Sequence, residues 1–286
     1  MKIKKLVSEV KLPKTNIYYE KDSIDGYSYL AIARELLGLG TEYLEKIISN
    51  KSYGLCSKYN IQGTPLPSNT IYTYSCYSVF DYYYIIENID KMSEIISLIE
   101  KKIGIYADTG LIRYCNIETN YRVPNVTPLA GLMLLKYGGR DDKVFQLLES
   151  FERQQEKNGN WRYYLKGNPM RMEDSMHLAM IIYALREIYK ITHFDCVERM
   201  INKALPCLYS MNTPNIQHGS IGWNPPFLAL ALRNRKKYND MFKESLLRTI
   251  NSSIKNTNFR VRAISAWALS KIYVEKHTSS NVNKTS

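Results

Sequence analysis

Residues 155–161 read QEKNGNW and follow the helical run VFQLLESFERQ at 144–154. Gly159 permits the left-handed turn that ends a helix. The Gln155 amide is placed to satisfy backbone groups left exposed at such a turn, and the Trp161 ring to pack over them. The stretch reads as a staple between a solvent-side helix and the next, more buried one.

Working outward, helical periodicity dominates the chain. Tyr-rich TIYTYSCYSVFDYYYII (70–86) is the one serious strand competitor, and its length favours helix. Breaks rich in Gly, Pro and Asn punctuate the helices, among them KSYGLCSKYNIQGTPLPSN (51–69) and MNTPNIQHGSIGWNPP (211–226). The helices between the breaks are of two kinds. TEYLEKIISN, DKMSEIISLIEKKI, DDKVFQLLESFERQQ, FDCVERMINKALPCLYSM and NDMFKESLLRTINSSI are charged and amphipathic. TPLAGLMLL, MHLAMIIYAL, PPFLALAL and AISAWAL are apolar on nearly every face. A helix apolar all round must be buried on all sides, and an amphipathic one covers it from the solvent.

The apolar kind repeats a local pattern: Leu129-Ala130 to Leu135, Leu178-Ala179 to Leu185, Leu228-Ala229 to Leu232 and Ile264-Ser265 to Leu269. The first three copies start about 50 residues apart, and the last is closer. This is a repeated helical hairpin whose units cannot bury their apolar faces alone. Every long loop joins an outer helix to the next inner one, so the loops should gather at one mouth. Inner segments at about 26–37, 70–86, 124–137, 172–189, 222–234 and 259–275 nearly close a six-fold ring. The predicted fold is all-α, a single α/α toroid of about six inner and five to six outer helices, with a right-handed helical solenoid as the alternative. Residues 21–276 form the toroid domain, 1–20 a basic, solvated N-terminal arm, and 277–286 a flexible C-terminal tail.

Composition agrees with a globular chain. At 286 residues it can bury about three quarters of its unfolded surface without disulfides. No apolar run reaches the roughly 20 residues of a membrane span. The start, MKIKKLVSEVKLPK, lacks a signal peptide's apolar core. A cytoplasmic location is expected. Cys56, Cys76, Cys115, Cys196 and Cys207 are scattered, which predicts free, mostly buried thiols. Four histidines argue against a His-rich metal site, and no metal is predicted. The net charge of +12 favours anionic partners such as phosphates, acidic sugars, nucleic acid or anionic lipid, and an anionic small-molecule substrate is expected. No nucleic-acid-binding signature is present, so no specific nucleic-acid partner is expected.

Phe151-x3-Gln155-x3-Gly159-x-Trp161 resembles the QW repeat of the terpenoid cyclase and protein prenyltransferase toroids, the match covering about residues 145–190. In that superfamily an acidic pair opens the inner helix about a dozen residues after the Gly-x-Trp loop. Here Glu173 and Asp174 stand at that place. Class II terpene cyclases protonate with the central acid of a DxDD motif, and aligning RMEDS with it puts Glu173 on the acid and Asp174 on its neighbour. Arg171 replaces the first Asp, and an arginine lowers rather than raises a neighbouring carboxyl pKa. The Asp, Cys and His that hold zinc in the prenyltransferases have no convincing counterpart. The resemblance implies no resident cofactor, with Mg accompanying a diphosphate substrate.

Glu173 and His177 lie four apart on one helix face, with Asp174 one step around, a grouping suited to acid–base chemistry. Asp174 equally suits an N-cap. Tyr74, Tyr77, Asp81 and Tyr84 share a helix face predicted to line a cavity. Arg113, Arg122, Arg162, His218 and Trp223 lie in loops predicted to meet at the mouth, where arginine forks would take an anionic group. The leading reading is a terpenoid-cyclase-like enzyme acting by acid–base chemistry on an anionic, partly apolar molecule such as an isoprenoid diphosphate; the alternatives are a carbohydrate-active lyase, hydrolase or epimerase on acidic sugars, or a non-catalytic binding module of a biosynthetic pathway.

Overall fold

The computed structural model describes residues 3–12, 24–49, 70–117, 121–165, 168–170, 175–211 and 224–282. Twelve α-helices occur among them: α1 (Ile3–Ser8), α2 (Ile24–Glu35), α3 (Glu42–Ser49), α4 (Thr73–Ile85), α5 (Ile89–Leu98), α6 (Val126–Tyr137), α7 (Asp141–Arg153), α8 (Ser175–Thr192), α9 (Asp195–Met211), α10 (Asn224–Leu232), α11 (Asn239–Lys255) and α12 (Phe259–Val282). A π-helical turn, Ile99–Ile103, prolongs α5.

The even-numbered helices form the inner ring. Each packs on the next, and α12 returns to pack on α2, which closes the circle. The odd-numbered helices stand outside. The molecule is thus an α/α toroid of six inner and six outer helices. Sequence explains the division. In α6 every residue from Val126 to Leu135 is buried, and in α10 every residue from Pro226 to Leu232. In α7 only Val144, Leu147, Leu148 and Phe151 are buried, one stripe at helical spacing. The sixth outer position is taken by α1, whose Leu6 and Val7 are buried and which packs on α2 and α12. Residues 3–8, expected in a solvated basic arm, are therefore part of the wall. At the other end α12 continues past 276 to Val282.

Turns from inner to outer helices are short, such as Gly138–Arg140 between α6 and α7. Connections from outer to inner helices are longer, except for Asn256–Asn258 between α11 and α12, and the described parts of three of them meet at one end. There β1 (Tyr121–Arg122), before α6, pairs antiparallel with β2 (Tyr163–Leu165), before α8, and β2 pairs with β3 (Asn168–Met170). Tyr72, before α4, bridges to Cys115, and the Thr73 amide donates to the Tyr114 carbonyl at 3.0 Å. These strands are too short to show alternation in sequence. They stitch three of the long loops together at the mouth.

Gln155–Trp161 performs the staple. Gln155 Nε2 donates to the carbonyls of Gly159 and Met200, each at 3.0 Å, tying the end of α7 to α9. The Trp161 ring stacks on Phe151 at 4.6 Å, and its indole N–H donates to the Phe151 carbonyl at 2.9 Å. Gly159 has φ +94°, and a Cβ there would lie 2.0 Å from the Lys203 carbonyl oxygen. Only glycine fits.

Candidate functional site at the toroid mouth

The inner helices all begin at the mouth, and their first turns set polar side chains around it. On one side, Arg260 of α12 is ion-paired with the fully buried Asp25 of α2. The Arg260 guanidinium lies 5.8 Å from the Tyr74 ring, and Tyr74 accepts from the Tyr29 hydroxyl at 2.9 Å. Burial, reinforced by the Asp25 carboxylate, raises the Tyr74 pKa, so it remains a neutral hydroxyl. Across the ring, Asn224 of α10 donates to the Ser175 hydroxyl of α8 at 2.8 Å. Asn125, just before α6, donates to Met180 Sδ at 3.1 Å and accepts from the Tyr163 hydroxyl at 3.3 Å. His177, half-buried in the first turn of α8, meets the Tyr163 ring edge-to-face at 5.3 Å.

Beneath this rim the axis is filled. Tyr29, Tyr77, Tyr183, Phe227 and Trp267 have no exposed surface. The Trp267 ring lies 4.6 Å from Tyr29, 5.4 Å from Tyr183 and 5.6 Å from Phe227. Tyr77 and Tyr183 share a hydroxyl–hydroxyl bond of 3.1 Å. Burial raises the pKa of both phenols, so the column is uncharged.

Charge returns at the far end, the floor, where the inner helices finish. Asp81 of α4, fully buried, is ion-paired with Lys136 of α6 and lies 3.2 Å from Lys271 of α12. Burial pushes the Asp81 carboxyl up, but the two ammonium groups outweigh it and hold the pKa below its ordinary value. Burial depresses Lys136, which shares the Asp81 carboxylate with Lys271; at Lys271 burial also lowers the pKa, but Asp81, Tyr77 and Glu187 together outweigh it and raise it. Lys271 also donates to Tyr183 at 2.9 Å. Beside this group Glu187 of α8 and Glu275 of α12 both meet Arg233 and Lys190, at 2.5–2.9 Å.

Against these positions the predicted residues divide. His177 stands at the mouth, in the first turn of α8. Glu173, Asp174, His218 and Trp223 lie outside the described residues, and Arg122 is described only as backbone in β1. Arg113 is folded over the Tyr106 ring of its own loop at 5.4 Å. Arg162 is exposed and ion-paired with Glu156. The cavity-lining stripe is corrected. Tyr74 belongs to the rim, Tyr77 and Asp81 are packed inside with no exposed surface, and Tyr84 emerges at the floor under Lys136, 4.6 Å from its ring. A helix running the depth of the barrel carries one face through rim, column and floor in turn. Sequence reasoning missed Asp25, Asn125, Asn224 and Arg260. Their signal was a polar residue at the start of each apolar segment, which reads the same as a cap.

Cys76, Cys115, Cys196 and Cys207 are buried and not disulfide-bonded, and Cys56 lies outside the described residues. No described helix is long and apolar enough to cross a membrane.

A ring of six inner helices sheathed by six outer ones, with its long loops at one end, defines the α/α-toroid class. No protein-family model matches the chain, and no curated protein matches it. Solved structures do. A β-1,3-1,4-glucanase from Paenibacillus sp. X4 superposes with TM-score 0.66 at 9% identity, over 95% of this chain and 91% of that one. A sugar epimerase from a ruminal bacterium gives 0.61 at 11% identity, over 94% and 99%. A family 76 glycoside hydrolase from a bovine Bacteroides thetaiotaomicron strain gives 0.57 at 10% identity, over 94% and 72%. At such identities the likeness is one of fold.

Proposed function

We propose that this chain is a carbohydrate-active α/α toroid that takes an acidic sugar at its mouth and acts on it by acid–base chemistry. Glu173 is the acid in this reading, with His177 and Asp174 setting its state. One observation carries it: the groups able to contact a ligand lie at a polar, aromatic-flanked rim, and the axis below is occupied by fully buried rings in mutual contact. An isoprenoid chain needs a deep apolar cavity, whereas a sugar needs a shallow site with many hydrogen-bonding groups. Asn125, Ser175, Asn224, Tyr163 and His177 supply such groups around the start of α8, which Glu173 and Asp174 immediately precede in sequence. The net charge of +12 favours an acidic sugar over a neutral one. The solved glucanase, epimerase and glycoside hydrolase support the choice of substrate class by fold alone.

The test begins with thermal shift against acidic oligosaccharides, neutral oligosaccharides and isoprenoid diphosphates with Mg. The acidic sugars should raise the melting temperature and the diphosphates should not. A shift with the diphosphates alone overturns the reading in favour of the cyclase-like one. NMR of the responding sugar then separates the reactions: new reducing ends mark hydrolysis, an unsaturated product marks a lyase, and solvent deuterium at a sugar carbon marks an epimerase. Glu173→Gln should abolish turnover at an unchanged melting temperature. Wild-type rates in that variant would remove Glu173 as the acid.

A further inference from the structure

The floor cluster is as far from the mouth as the barrel allows, and nothing in the proposed chemistry uses it. Its members come from five of the six inner positions: Asp81 on α4, Lys136 on α6, Arg186, Glu187 and Lys190 on α8, Arg233 directly after α10, and Lys271 and Glu275 on α12. Five cations thus meet three carboxylates. The pairing is uneven. Lys136 and Lys271 share the single carboxylate of Asp81. Arg186 makes no ion pair among the described residues and spends Nη1 on the carbonyls of Ala231 and Arg233, both at 2.7 Å. Arg235, in the same turn, adds positive charge beside Arg186 and helps lower its pKa to about 10, after the larger effect of burial.

Arg233 is the sharpest feature. Its side chain is 2% exposed, and both its carboxylate partners bind the one nitrogen Nη2. Nε and Nη1 are buried and have no acceptor. A guanidinium presents its donors in a fixed planar fork, and here both carboxylates approach Nη2 alone and do not bridge to the other two nitrogens. Buried donors on a charged group without acceptors forfeit charge-assisted bonds. The guanidinium and the Lys271 ammonium lie 5.9 and 5.5 Å from the centroid of the same Tyr183 ring, so both cations border it. The cluster reaches solvent through Lys190 and Glu275, whose side chains are 46% and 32% exposed.

We propose that the floor cluster is a second binding site, specific for a phosphate group, held by Arg233 Nε and Nη1 together with Lys271. A dianion there neutralises the excess of two positive charges and provides oxygen acceptors for the orphaned N–H groups. Free phosphate and a phosphate monoester present the same chemistry to this site.

Isothermal titration of the full chain with inorganic phosphate, and separately with glucose 6-phosphate, tests this at matched ionic strength in chloride. Saturable binding of inorganic phosphate is expected in the wild type and in His177→Ala, which alters only the mouth. Arg233→Lys keeps a charge for Glu187 and Glu275 but removes the fork, and should weaken binding by about tenfold or more. Lys271→Met, which leaves Asp81 paired with Lys136, should weaken it similarly and serves if Arg233→Lys does not fold. Preference between the two ligands identifies the free or the esterified form. No saturable binding in the wild type overturns the proposal. So does binding that survives both floor variants and disappears in His177→Ala, since that phosphate sits at the mouth. Either result leaves the carbohydrate reading standing on its own test.

Discussion

Trp161 and Gly159 show how much one residue can decide. Trp161 stacks on Phe151, spends its indole N–H on that residue's carbonyl, and is 2% exposed. Trp161→Ala should cost about 3–5 kcal/mol, the usual range for removing a buried aromatic. The measurement is the urea midpoint. An unchanged midpoint would refute the staple, and sugar affinity should hardly move. Gly159→Ala combines a strained backbone with a methyl pressed against the Lys203 carbonyl, and should cost about 3 kcal/mol or more. These local roles were legible because Phe151, Gln155, Gly159 and Trp161 are neighbours in sequence. The second acceptor of Gln155 was not: Met200 lies 45 positions on, brought there by the packing of α7 against α9.

At the scale of the element, a lone charge in an apolar inner helix stands out in sequence, but its partner does not. Asp81 in SVFDYYYII had to be paired, yet nothing local pointed to Lys136 and Lys271. Asp81→Asn leaves two ammonium groups crowded at the floor and should destabilise by about 3–5 kcal/mol. Adding Lys136→Met should restore part of that loss, and a double-mutant cycle on chemical denaturation measures how much. Glu187 gives the pH dependence. Burial raises its carboxyl, but Lys271, Arg233 and Lys190 outweigh burial and hold it at about 2, below the ordinary 4.5. The folded state therefore binds the proton less well than the unfolded chain. The contribution of Glu187 is complete above about pH 4.5 and lost as pH falls towards 2. The fall of the urea midpoint across that interval should be shallower in Glu187→Gln than in the wild type. Equal slopes would mean the carboxylate is not stabilised by its cations.

For the whole molecule, ring closure is the governing event. The first and last inner helices pack together along their length, and Asp25 and Arg260 are joined although 235 positions apart. Arg260→Met removes the cation paired with a fully buried carboxylate and should cost about 3–5 kcal/mol. Hydrogen exchange should then accelerate in both α2 and α12, because both lose the same seam. Acceleration confined to α12 would show that the pair anchors one helix and does not close the ring.

The sequence by itself determined the helices, their two kinds and their order. All-round apolar segments must lie inside and amphipathic ones outside, whatever their neighbours, because burial is a property of a helix's own faces. It also marked the polar start of the inner helix at His177. Only the tertiary structure decided that the ring closes with α1 as its sixth outer helix, that aromatic rings fill the axis, and that Asp25, Asp81 and Glu187 meet the cations they do. Apart from Glu187 with Lys190, three positions on, those contacts join residues from 46 to 235 positions apart. Charge attraction depends on distance in space, which a chain acquires only on folding, and so no local spacing announces it.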